Sequence, residues 1–139
     1  MEMVLIKIII NKAFALSKKL AKKDYPSGIN LLGCCYHVGI GTDINVPKAF
    51  KLYQKATDLG NSNGMYNLRY FYNNGIVTDV NKQKTFELYQ KSADLGNDFA
   101  QYNLALMYEN GIVVKKDIDQ AIYWYKNLLY KEIKMLKVN

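Results

Sequence analysis

The sequence predicts an all-α solenoid of stacked helical pairs, about three and a half units of 36 residues, on three observations. Gly39, Gly75 and Gly111 recur every 36 residues, and three further series keep step with them: Leu32, Leu68 and Leu104; Tyr36, Tyr72 and Tyr108; Tyr53, Tyr89 and Tyr125. LYQKATDLGN in one unit returns as LYQKSADLGN in the next, and about half the positions of the first two units are identical. Within each unit the small and apolar residues fall at helical spacing rather than in the alternation of a strand.

Residues 1–23 form an apolar and basic segment that carries a partial repeat, because Lys12-Ala13-Phe14 and Leu16 lie 36 residues before Lys48-Ala49-Phe50 and Leu52. Its opening, MEMVLIKIII, is too short for a transmembrane helix, which needs roughly 20 apolar residues, and Lys7 breaks it. A secretory signal fits poorly, since Glu2 and no lysine precede the apolar run, although Ala13-Phe14-Ala15 loosely imitates a cleavage site. A helix or extended piece packed on the first repeat is expected instead.

Three repeats follow at 24–60, 61–96 and 97–130, then a basic tail at 131–139. In each repeat a small residue (Gly28, Gly64, Ala100), a leucine four on and a tyrosine eight on trace one face of a first helix, helix A, which a glycine ends. The second helix, helix B, places Ala49, Leu52, Tyr53 and Ala56 at i, i+3, i+4 and i+7, repeated as Thr85, Leu88, Tyr89, Ser92 and as Ala121, Trp124, Tyr125, Leu128. Asn45, Asn81 and Asp117 are suited to cap its start, and Leu59-Gly60-Asn61 and Leu95-Gly96-Asn97 to end it. One such pair cannot bury its own apolar face, so neighbours must stack, with the six in-step tyrosines filling the space between helices.

Charge and chemistry exclude several function classes. The net charge of +7 would raise nucleic acid as a partner, but residues 1–23 contribute +5 and residues 126–139 contribute +3, leaving −1 for residues 24–125. Without a basic stripe along the repeats, a nucleic-acid partner is not expected. The only cysteines, Cys34 and Cys35, are adjacent and provide no disulfide framework, which points to a reducing, cytoplasmic setting. His37 is the only histidine; with Cys34 three residues earlier it forms a conceivable hydrolase dyad, but nothing in the sequence supplies a third orienting group. Cys34, Cys35 and His37 lack a second ligand pair at zinc spacing, and Gly39-Ile40-Gly41 is a helix-ending turn rather than a dinucleotide loop. No enzyme, metal or cofactor is therefore expected.

The order small residue, Leu-Gly, Tyr, Gly-x-Gly, Asp, Lys-Ala, Tyr, Lys-Ala-Ala and Gly resembles the Sel-like repeat, a helical-pair relative of the tetratricopeptide repeat. The resemblance runs through GINLLGCCYHVGIGTDINVPKAFKLYQKATDLGN, GMYNLRYFYNNGIVTDVNKQKTFELYQKSADLGN and AQYNLALMYENGIVVKKDIDQAIYWYKNLLYKE, from Gly28 to about Leu128. It implies a right-handed solenoid acting as a protein-interaction scaffold or adaptor, since similar arrays serve in protein degradation, in cell-wall synthesis control and beside protein kinases. Arg69 departs from the pattern, standing where Gly33 and Ala105 stand, and predicts looser packing of its helix pair or a side chain that reaches solvent. The third repeat loses its closing glycine, so its helix B is expected to run on as a basic, amphipathic cap.

A solenoid of this kind leaves one face of each helix A free, and positions 30, 31, 34 and 37 with their copies form a ladder there. Its rungs are Asn30, Leu31, Cys34, His37; Tyr66, Asn67, Tyr70, Asn73; and Tyr102, Asn103, Leu106, Glu109. Tyrosine area and asparagine amides repeated in this way suit a protein or peptide partner, with the water-facing surface of an ordinary array as the alternative. Two other functions compete: a regulatory fragment of a larger signalling protein, for example beside a kinase domain, and the small Cys34/His37 hydrolase. Uncapped apolar ends would favour self-association.

Overall fold

The computed structural model describes residues 2–138, in which seven helices follow one another without a strand. They are α1 (Glu2–Lys22), α2 (Pro26–Val38), α3 (Val46–Asp58), α4 (Ser62–Asn74), α5 (Lys82–Asp94), α6 (Asp98–Asn110) and α7 (Ile118–Val138). α2, α4 and α6 are the A helices, and α3, α5 and α7 the B helices. Each packs on its neighbours in sequence, and α2 also touches α4, so the array is a helical-repeat solenoid.

The boundaries come from local chemistry. Asn45 Oδ1 accepts from the Lys48 amide, Asn81 Oδ1 from the Lys84 amide and Asp117 Oδ1 from the Gln120 amide, which caps the three B helices as expected. Asn61 and Asn97, expected to close helix B, also open the following A helix by accepting from the Gly64 and Ala100 amides. Gly39, Gly75 and Gly111 end the A helices at φ of 78°, 65° and 65°, a left-handed turn in which each amide returns to a carbonyl of the last helical turn.

The core forms two groups along the stack. Ala49, Tyr53, Met65, Leu68, Phe71 and Leu88 pack together across the first two repeats, and Tyr89, Ala93, Ala100, Leu104, Ala105, Met107 and Trp124 across the second and third. Small residues set the spacing: a Cβ on Gly64 would stand 2.8 Å from Ala56 Cβ, and one on Gly33 would stand 2.8 Å from the Tyr53 ring. Of the six tyrosines expected inside, Tyr53 and Tyr89 are buried, whereas Tyr36, Tyr72, Tyr108 and Tyr125 are half-buried, with part of each ring left on the surface.

The segment expected to carry a partial repeat forms helix α1 (Glu2–Lys22), which lies against α2. Ser17, its one buried residue, donates to the Phe14 carbonyl and sits 3.9 Å from Cys35 Sγ. Before Ile10 its apolar residues, Met3 to Ile6 and Ile8 to Ile9, are exposed. At the other end the expected basic tail is helical as far as Val138, continuing α7. Lys131 Nζ fastens that extension to the start of α6, donating to the Gly96 carbonyl, to Asp98 Oδ1 and to Gln101 Oε1.

Candidate functional site

The first two rungs of the ladder are joined directly. Asn67 Nδ2 on α4 donates to Asn30 Oδ1 on α2 at 2.9 Å and approaches Cys34 Sγ at 3.7 Å, so this amide clamps two A helices together. His37 adds an aromatic link, its ring 5.8 Å from Tyr70 and 5.2 Å from Phe71. Leu31 and Tyr70 remain more than a third exposed. Asn73 holds Lys82 Nζ with both its carbonyl and its side-chain oxygen.

The third rung follows a different pattern. Tyr102 is half exposed and meets the ring of Tyr125 edge-on at 6.3 Å, while Glu109 accepts a 2.6 Å hydrogen bond from the Tyr125 hydroxyl. Asn103 returns its amide to the Phe99 carbonyl, and Leu106 is half-buried. Phe99 bridges to the second rung, its ring 5.8 Å from Tyr66. Asn67 thus spends a donor between helices and Asn103 one on its own helix backbone, which leaves the open rings of Tyr70 and Tyr102 as the more exposed part of the ladder.

Four residues outside the ladder shape it. Tyr53 and Tyr125 send their hydroxyls from helix B to the last ladder position of helix A, His37 and Glu109, at an offset of 16 residues in both units. Phe99 joins rungs, and Arg69 lays its guanidinium over the Tyr66 ring at 4.4 Å, with Tyr89 and Tyr70 at 5.6 and 5.8 Å. Arg69 is half-buried, and the tyrosines around it hold its guanidinium by cation–π attraction. The repeated offset signals the tyrosine hydroxyls in the sequence, and the i, i+3 spacing of Tyr66 and Arg69 on α4 signals their contact.

The electrostatics of the first rung are those of a packed network. Cys34 Sγ accepts from the Tyr53 hydroxyl at 3.4 Å, and His37 Nδ1 lies 3.4 Å from the same hydroxyl, so both side chains of the conceivable dyad are bonded to Tyr53. Burial pushes the His37 imidazole below its ordinary range. Burial, then the hydrogen bond to Cys34, raises the Tyr53 phenol well above its usual value, and burial likewise raises the Cys35 thiol. For His37, Tyr53 and Cys35 burial favours the neutral form, which suits packing. Among the described residues, no group of three His, Cys, Asp or Glu side chains could hold a metal ion, and no helix is long and apolar enough to cross a membrane.

The Sel1 repeat family model matches three consecutive segments, residues 26–61, 62–97 and 98–127; the first two each contain one A helix and the B helix that follows, and the third contains α6 and the first part of α7. The chain belongs to the Sel1 repeat family. Solved Sel1 relatives share the solenoid: a Sel1 repeat protein from Oxalobacter formigenes is 26% identical with a TM-score of 0.79, over 88% of this chain and 50% of that one. c5321, a protective antigen with an SLR fold from uropathogenic Escherichia coli, is 31% identical with a TM-score of 0.72, over 83% of this chain and 25% of that one. Helicobacter pylori cysteine rich protein B shares the fold at 24% identity and a TM-score of 0.67, with 90% of each chain covered. This chain therefore spans half the length of the Oxalobacter protein and a quarter of the Escherichia coli one. No curated protein matches it significantly.

Proposed function

We propose that this Sel1 array is a non-enzymatic scaffold or adaptor that binds a protein or peptide along the ladder formed by α2, α4 and α6. Family membership supports the general role, because Sel1 repeat proteins mediate protein–protein interactions. The observation that carries the location is the run of open rings, with Tyr70 39% and Tyr102 51% exposed beside half-buried Tyr66 and His37. Tyrosine contributes large contact area at low conformational cost, and rigid helices hold these rings in place. Asn30, Asn67, Asn73, Asn103, Leu106 and Glu109 complete the surface, with the Asn67–Asn30 clamp fixing its curvature between the first two rungs. The free cysteines are consistent with a cytoplasmic setting. Self-association through the apolar turns of α1 belongs to the same proposal.

Selection from a random peptide library tests the reading, comparing the unaltered chain with Tyr70→Ser/Tyr102→Ser, the two most open ladder tyrosines. Both rings can be removed with little loss of core, and circular dichroism checks that both chains fold. Peptides retained by the unaltered chain and lost from the variant are the expected result. Equal retention by both, or recovery of no peptide by either, would overturn the ladder as the binding surface.

A further inference from the structure

Arg69 is the only arginine in the chain, and its position in the repeat holds glycine in the first unit and alanine in the third. Its guanidinium is built into the middle rung, flanked by Tyr66, Tyr70 and Tyr89. Nε is buried without a hydrogen-bond partner. Among the described residues the ion pairs are Lys55–Asp24, Lys84–Glu87 and Lys131–Asp98, and none involves Arg69. A buried guanidinium nitrogen without an acceptor is costly, and the planar fork matches a carboxylate in shape. Rings around the cation hold the fork in one orientation, which lowers the entropy lost when an acceptor arrives.

We infer that Arg69 is the anchor of a carboxylate-binding site on the ladder, taking an Asp or Glu side chain or the C-terminal carboxylate of a bound peptide between Tyr66 and Tyr70. This inference rests on the scaffold reading above and assigns the chemistry of the partner. A peptide fits better than a phosphate polymer, because the cation is single and the repeats carry a net charge of −1 over residues 24–125. The unpaired fork supplies the charge complementarity, and the neighbouring rings supply faces for the residues flanking the carboxylate.

The test uses the full chain and three sets of peptides with random flanks: a central Glu with an amidated C-terminus, a central Gln with an amidated C-terminus, and a central Gln with a free C-terminus. Arg69→Ala is the comparison, since alanine occupies the equivalent place in the third unit and the helix should persist. Preference for the Glu set assigns a side-chain carboxylate, and preference for the free-terminus set assigns a C-terminal one. Either preference should fall by about tenfold or more in Arg69→Ala. With one arginine present, selectively labelled Nε gives a single resonance, which should shift on addition of a preferred peptide and not of its Gln or amidated counterpart. Peptides that bind equally well with Arg69 and with alanine would overturn the carboxylate site while leaving the scaffold reading intact. Recovery of no peptide from any set would overturn both.

Discussion

The 2.6 Å hydrogen bond from the Tyr125 hydroxyl to Glu109 Oε2 makes one phenol of twelve distinguishable by titration. The bond to Glu109 first, then burial, pushes that phenol up to about 12, because ionising it would set a phenolate against a carboxylate. In a pH titration followed by tyrosine ring-carbon resonances, Glu109→Gln should return Tyr125 toward the ordinary value of about 10, and an unmoved midpoint would refute the pairing. Since the folded value is the higher one, the stabilisation is complete below about pH 10 and is lost as pH rises toward 12. His37 acts at the opposite end of the scale. Burial lowers its folded pKa, so the unfolded chain takes up the proton first, and the stability this group contributes is present above about pH 6.5 and declines as pH falls below it. Thermal midpoints measured from pH 7 downward should fall less steeply in His37→Asn, which installs the amide found at Asn73; parallel curves would contradict the burial of the imidazole.

At the scale of the element, the loop between helices A and B holds strain that two units carry and one avoids. Gly41, Val77 and Val113 occupy equivalent places at φ of 71°, 67° and 68°. The left-handed region is open to glycine but costs a β-branched residue about 1–2 kcal/mol. Val77→Gly should therefore relieve more than the extra chain entropy of glycine takes away, raising stability by up to about 1 kcal/mol in urea unfolding; a clear loss would show that the valine makes a compensating contact. The sequence displays much of this framework but not the strain. Asn45, Asn81 and Asp117 are readable as caps because an Asx side chain stands before each apolar stripe, and the left-handed helix ends are readable from the repeated glycines. Val77 and Val113 give no such signal, because chain geometry inherited from the repeat overrides their residue preference. The ladder is readable as a set of positions, since period and helical spacing fix which residues share a face. Its internal bonds are not: that Asn67 pairs with Asn30, and that Arg69 also lies against Tyr89 of α5, depends on distances between helices that spacing alone does not determine.

For the whole molecule, the two core groups meet at α5, where Leu88 joins the first and Tyr89 the second, so the repeats share a helix rather than a loose junction. Both ends expose apolar side chains. At the C-terminal side Lys131 ties α7 to α6 but Leu129, Met135 and Leu136 stay open, and the first two turns of α1 expose Val4, Leu5, Ile6, Ile8 and Ile9 at 45–63%. Exposed apolar turns favour the proposed self-association, but each copy carries +5 in residues 1–23, which opposes the approach of two such helices. Salt separates the two forces, because at about 1 M ionic strength the screening length shrinks to about 3 Å while apolar attraction persists. Sedimentation velocity should therefore show association that strengthens as sodium chloride is raised, the reverse of an ion-paired interface. Leu5→Lys/Ile9→Lys should hold the chain monomeric at every salt concentration, with its helical circular dichroism retained because both side chains lie outside the core. A chain that stays monomeric in high salt, or one whose association survives both substitutions, would exclude the apolar turns of α1 as the contact.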